Sequence, residues 1–557
     1  MNIYGICFFQ LDANGPKLFS FPEFLAGLAL IVLAWTIADV RYKFRVRAAP
    51  FPLQKITFCV VALIGTLTLL TDLWRAEEWL VPCGGVITPA AWQAILAGIF
   101  LLNFLMWAWF AFIRPPSFGR YNAKQFATVL YRYILTGSSS ELAIIADELS
   151  YSVRGLIYYA TDKNKQRLQY GFEGKVKYTP SSIEKYANDL LLLIADKRFC
   201  RAIVDFAPVT ALFIFQEMEK TKKYGVQVQV FARNIINYAL ENKNSFLYHE
   251  VEGYASGLIG RHKPLSQAIF ANSELVDVVG TMLDPGVHER SEWDSEQWEA
   301  YCRVVLMVFR DHVQKRLWES SAALNRAMGY IESAVGDLYR LQAGVPVWQS
   351  DEHRRLKVVM SFISSAVAIL DEKGVPHDIC LRRRKGFFNH ETCYDQIAVM
   401  VHEVVRSAST VKLSQDAQWV IQYASVWSEI FGFKGGNSPA WKVVRFKVRR
   451  LIYDDVVEMD KLPNFQGARV LALCLNAMMF SVVRGRSDKG DYALQKAVFR
   501  WVKRNYCWLR ARNSRVADAC LVDGIAYDSK RLRIIKIYSA DGLRIKPRYT
   551  YVQLDPA

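Results

Sequence analysis

The densest group of potential metal ligands in the 557-residue chain is His377-x-x-Cys380, a nine-residue spacer, then His390-x-x-Cys393. Neutral imidazole and thiolate both bind zinc, and a two-residue spacing lets one turn present a pair to a single ion. Three of the eight His and two of the ten Cys fall between positions 377 and 402. The spacer Leu381–Asn389 would form the knuckle. Mixed ligand order, His before Cys twice, is unusual for a structural zinc site. A polar loop carrying incidental His and Cys is the favoured alternative.

His377-Asp378 also spells the HD pair of metal-dependent phosphohydrolases, with His353 upstream as an extra ligand. Pro376 and Gly374 place that pair at a turn or helix start, whereas its chemistry needs a helix. Ser182-x-x-Lys185 has the spacing at which a Lys deprotonates a Ser one turn away. It overlaps a helix-capping pattern and lacks its companion motifs. In His402-Glu403-Val404-Val405-Arg406 a cation stands where a second zinc ligand would be needed. No P-loop, nucleophile elbow or kinase signature occurs. No catalytic residue is assigned.

A second group could bind anions. From Phe480 to Ala557 there are 17 Lys/Arg against seven Asp. Trp501, Tyr506 and Trp508 interleave with Arg500, Lys503, Arg504, Arg510, Arg512 and Arg515, and Trp441–Arg450 adds a further basic stretch. Cations beside aromatic rings can neutralise phosphates and stack bases, so nucleic acid is one expected partner. Anionic lipid is another, since headgroups attract basic segments. A solvated basic face with no ligand is the third reading.

The elements that position these residues read as helices. Ser181-Ser182-Ile183-Glu184 is a capping box opening a helix over 183–199. Helical periodicity recurs over 298–341, 354–373, 396–407, 415–431, 468–483 and 492–509. Strand alternation is confined to 170–178, 226–231 and a terminal hairpin, 531–538 with 543–552, around Ala540-Asp541-Gly542. Gly and Pro breakers suggest boundaries near 344–351, 373–377 and 434–439.

The N-terminal fifth is different. Residues 1–113 hold seven Lys/Arg and six Asp/Glu, and the rest hold 63 and 47, so a mean hydropathy of +0.07 averages two unlike regions. Apolar runs at 24–38, 56–71 and 86–113 predict three membrane-spanning helices, since about 20 apolar residues cross the hydrocarbon. Trp74, Trp79, Trp92, Trp107 and Trp109 suit an interfacial belt. The connection 41–55 carries five basic residues and no acidic one. The positive-inside bias therefore predicts a plasma-membrane protein with its N-terminus outside and a cytoplasmic C-terminal region. With that topology, Cys7 and Cys83 alone face the oxidising side, and a disulfide between them is expected.

The expected fold is thus an integral membrane α-helical protein. A tail (1–20) precedes three transmembrane helices (21–113), a helical cytoplasmic lobe (114–345) and a basic, mainly α lobe (346–557) ending in a β-hairpin. The expected function is a membrane-anchored sensor, scaffold or effector that binds a protein partner or a second copy of itself, in a setting such as bacterial stress or phage defence. A membrane-tethered phosphohydrolase with zinc or another metal as cofactor, a nucleic-acid-binding protein and an oligomeric pore are the alternatives. Asp39 and Asn103 are the only polar hints of a pore, and one amide within a span is commonly interhelical glue.

Overall fold

A computed structural model describes residues 2–3, 6–11, 17–37, 39–82, 88–162, 180–253, 263–315, 321–342, 344–376, 379, 381, 392–432, 437–478, 480, 491–538 and 548–556. These residues are mainly helical, with two small antiparallel sheets. The chain forms two compact units, Met1–Ile235 and Ile236–Ala557.

In the first unit the apolar runs become α1 (Phe21–Ile37), α3 (Leu53–Ala76) and α4 (Pro89–Ala108), the last continued by a π-helical turn, Trp109–Ile113. Two of these, Leu53–Ala76 and Pro89–Ile113, are each long and apolar enough to cross a membrane. At 17 residues α1 lies at the short limit. The number rises to four only if two bent pairs, Phe21–Thr36 with Val40–Ala48 and Lys197–Phe206 with Pro208–Thr221, each count as one span. The structure therefore supports two to four candidate spans rather than specifically three. Large apolar side chains stand outward along these helices, among them Leu30, Phe58, Leu63 and Leu102, each at least 60% exposed. Hydrocarbon, not water, suits such a surface.

Glycines let α1 lie close to its neighbours. A Cβ at Gly65 would fall 2.8 Å from the Phe24 ring, and one at Gly27 would fall 2.8 Å from Phe100. Small residues at such crossings let van der Waals packing replace the hydrophobic drive that lipid does not supply.

The helix ends sort into two sets. At one end Asp72 Oδ2 accepts from the Phe21 N–H (2.8 Å), Gln93 Oε1 from Leu18 N–H (3.0 Å), and Trp92 Nε1 donates to Thr71 (3.2 Å). The same end carries a sheet of β1 (Asn2–Ile3), β2 (Ile6–Gln10) and β3 (Leu80–Pro82), in which Phe8 faces Pro82 and Phe9 faces Val81. At the other end the basic connection is itself a helix, α2 (Val40–Ala48), whose first N–H bonds the Asp39 carboxylate. Val46, Ala49 and Leu53 pack there with Trp107 and Ala111.

Next come α5 (Ala123–Thr136), α6 (Ser139–Leu149), α7 (Val153–Tyr159), α8 (Ser182–Leu193), α9 (Lys197–Phe206), α10 (Pro208–Thr221) and α11 (Gln229–Glu241). In α5, Ala123, Phe126, Leu130 and Ile134 recur at helical spacing and are buried against α2 and α8. The helix expected over 183–199 stops at Leu193 because Asp196 caps a new one, accepting from Phe199 N–H (3.0 Å). The strand expected at 226–231 is overturned. Val228, Phe231, Ala232 and Ile235 are all buried, so the downstream 3.6-residue spacing outweighs the local alternation and Gln229 opens α11. The strand expected at 170–178 lies outside the described residues.

The second unit holds short helices at Phe246–Glu252, Pro264–Phe270, Ser273–Val279 and Val287–Glu292 before its main elements. These are α12 (Ser295–Gln314), α13 (Ala322–Ser333), α14 (Asp351–Lys373), α15 (Cys393–Ser409), α16 (Gln415–Trp419, a π-helical Val420–Trp427, and Ser428–Phe431), α17 (Pro439–Glu458), α18 (Phe465–Ala477) and α19 (Tyr492–Arg512). The periodic stretch 298–341 breaks into two helices, and Ser321 caps the second through Leu324 N–H (3.2 Å). α12 and α14 pack together across the breakers at 344–351. The C-terminal hairpin forms as expected, β5 (Arg533–Tyr538) against β6 (Arg548–Gln553), and gains a third strand, β4 (Ile525–Asp528). From β5, Lys536 Nζ donates to the carbonyls of Leu475 (3.1 Å), Asn476 and Met478 (3.2 Å), closing the C-terminus of α18. A helix end buried without partners is costly, and this ammonium supplies them.

Candidate functional site

The clearest constructed site lies in the first unit, where α2 meets α3, α5 and α8. Its anchor is an ion pair. Arg45 on α2 and Glu148 on α6 are both buried, with Nε–Oε2 at 2.7 Å and Nη2–Oε1 at 2.8 Å. The third nitrogen, Nη1, donates to the Ala111 carbonyl (3.1 Å) within the π-helical turn. That carboxylate holds the Arg45 guanidinium above its usual range. Arg41 approaches Glu148 at 3.3 Å and Asp147 at 2.8 Å. From α5, Asn122 and Gln125 donate to the Ala48 (2.9 Å) and Arg47 (2.7 Å) carbonyls at the end of α2. The first connection therefore packs with α5 and α6 as one structure.

Beside this clamp is a cavity of about 900 Å³. Five cations line it: Arg47 from α2, Lys55 from α3, Arg120 just before α5, and Lys124 and Arg132 from α5. No Asp or Glu lines it, and none of the five makes an ion pair among the described residues. The first turn of α8 closes one side through Ser181, Ser182 and Ile183. Glu184, which is not among the lining residues, accepts from the Ser181 N–H (2.8 Å). Ser182 is thus a helix-opening residue, which accounts for the Ser182-x-x-Lys185 spacing without chemistry. Sequence reading missed this cavity because its cations come from α2, α3 and the start and body of α5, and no linear run unites them.

The metal candidates fare differently. His377, Cys380 and His390 lie outside the described residues. Cys393 opens α15, is buried, and burial pushes its thiol up to about 12. Among the described residues no group of three or more His, Cys, Asp or Glu could hold a metal ion. His353 is buried with Nε2 at 3.0 Å from Ser425, and burial lowers its pKa. His402 Nε2 sits 2.9 Å from Asp455, and Arg406 bonds Glu403 and approaches Asp455 at 3.5 Å, a network that joins α15 to α17.

Of the C-terminal basic group, Arg500, Lys503, Arg504 and Arg512 are exposed on α19. Arg510 is half-buried, pairs with Asp518 (2.6 Å) and lies over the Tyr527 ring (4.9 Å). Trp501 turns inward, is 3% exposed and donates to Asp460 (2.6 Å), so it offers no face to a base. Trp508 is half-buried beneath Arg512. In the disulfide pair, Cys7 lies on β2 next to the residue that faces Pro82, and Cys83 lies outside the described residues. Asn103, the polar residue of the third run, is buried against neighbouring helices, and its amide has no partner among the described residues.

Comparison with family models, with curated proteins and with solved structures finds no match to this chain.

Proposed function

We propose that the chain is a membrane-anchored sensor, scaffold or effector. In this reading α1, α3 and α4 cross the plasma membrane with the N-terminus outside. The helical remainder is held at the inner face to bind a partner. The observation that carries it is the packing of α2 onto α5 and α6 through the buried Arg45–Glu148 pair. An anchor that served only to tether could end in a flexible linker, whereas this one is built into the fold that follows it. The two sets of helix ends also support an odd number of crossings, because the N-terminal tail joins the 80–82 connection and the 40–48 connection joins α5 and α6, which follow α4.

Reporter fusions at Ala48, Pro82 and Gln125 test the topology and should read inside, outside and inside. An outside reading at Gln125 overturns the proposal. Metal analysis of the purified full chain tests the phosphohydrolase alternative. Stoichiometric zinc that disappears in Cys380→Ser would replace the anchored-effector reading with that one.

A further inference from the structure

We propose that the five-cation cavity binds the phosphate headgroup of an anionic phospholipid from the leaflet in which α3 begins. This rests on the reading that α3 crosses the membrane, and it adds a ligand class to that reading.

Depth is the first reason. Lys55 is the third residue of α3, and the apolar run begins at the next residue, Ile56. A cation at that position sits where headgroups sit. Tyr121, 90% exposed on the cavity wall, and Phe51, exposed just before α3, are aromatic residues of the kind that collect at this level. Charge is the second reason. Five cations converge with no carboxylate among the lining residues, so the cavity keeps an uncompensated positive field that a phosphate would neutralise. Size is the third. About 900 Å³ is within the range of small-ligand sites and accommodates a glycerophosphate headgroup. The Ser182 hydroxyl adds a neutral donor on one wall, while Ser181 and the Glu184 carboxylate are occupied with each other in the capping box that opens α8.

The exposed cations of α19 lack these features. They stand along the outer face of one helix, and Arg510 already has a carboxylate partner. They resemble a solvated face more than a receptor.

The test uses the full chain purified in detergent, with bound lipid read by native mass spectrometry after adding phosphatidylglycerol or phosphatidylcholine. The expected result is retention of phosphatidylglycerol over phosphatidylcholine. Replacing Lys55, Arg120, Lys124 and Arg132 together with Gln should weaken that retention by roughly several hundredfold, at about fivefold for each of the four cations. Exchanging Lys for Arg and Arg for Lys at the same four positions keeps the charge and should keep the lipid. An unchanged melting temperature in both variants excludes misfolding as the cause. Equal retention in the wild type and the Gln variant overturns the proposal. So does loss of retention in Arg500→Gln/Arg504→Gln instead, or binding through the cavity of inorganic pyrophosphate or a short RNA with no lipid preference. Retention in detergent does not depend on orientation, so a failed topology test and a failed lipid test are distinguishable.

Discussion

Removing the Glu148 carboxylate should be among the most damaging single changes in the first unit. In Glu148→Ala the Arg45 guanidinium loses both short bonds, at 2.7 and 2.8 Å, and keeps only the Ala111 carbonyl at 3.1 Å. At 6% exposure it cannot recover hydration without opening the α2–α6 contact. Arg41 loses one of its two carboxylates at the same time. Leaving one member of a buried pair unpartnered costs about 3–5 kcal/mol. For a unit of this size each kcal/mol lowers the melting temperature by about 2–4 °C, so the expected fall is roughly 6–20 °C. Glu148→Gln keeps an acceptor and should lose less, about 1.5–3 kcal/mol, the worth of a charged hydrogen bond. The double variant Arg45→Met/Glu148→Leu removes both charges and should recover most of the loss, because apolar replacement of a buried pair is often neutral. Thermal melting of the four proteins in detergent makes the comparison. If Glu148→Ala melts within about 2 °C of the wild type, or the double variant is the least stable of the four, the pair does not join these helices as described.

Glu332 on α13 gives a pH signature: burial first, and then the neighbouring Glu403, raise its carboxyl to about 7, with Arg406 acting the other way. From about pH 4.5 to 7 the folded chain holds a proton that the unfolded chain has released. Stability should therefore fall as pH rises through that window, and Glu332→Gln should flatten the slope measured by urea unfolding. Lys536→Met should cost about 1–3 kcal/mol by stripping three buried carbonyls of their donor, and hydrogen exchange at the C-terminal end of α18 should accelerate most. Cys7 lies on β2, which pairs with β3 up to Pro82, and the shared outer side expected for the two thiols predicts a Cys7–Cys83 disulfide. Non-reducing peptide mass spectrometry should recover the linked peptides, and free alkylation of both thiols before reduction would refute the bond.

Periodicity and composition reached the helices because each buries a stripe set by its own residues, as Leu494, Val498, Trp501, Val502, Tyr506 and Leu509 do on α19. Apolar length located the runs that become α1, α3 and α4 for the same reason. What stayed hidden depends on partners distant in sequence. Nothing near Arg45 signals that Glu148 will neutralise it, so the basic connection read as a loop when it is a packed helix. Strand β4 was invisible because four residues, Ile525–Asp528, alternate too briefly, and pairing with β5 is what makes them a strand. Trp501 read as a stacking platform because its neighbours are cations, but helical spacing turns it to the core face while Arg500 and Arg504 stay outside. The cavity needed α2, α3 and α5 brought together before its charge could be seen.

The 103 residues that separate Arg45 from Glu148 also impose an order in time. At about 5–20 residues per second, synthesis delivers the carboxylate roughly 5–20 s after the guanidinium. Through that interval Arg41 and Arg45 are without the carboxylates they later pair with, and in the proposed topology all five cations between Arg41 and Lys55 are then free to bias how the first helices are oriented. Once α6 emerges, two of them, Arg41 and Arg45, are withdrawn into the fold. In the proposed topology the same arginines would thus first steer the first helices and then latch them to α6, so that their orientation is locked only after α4 has been made.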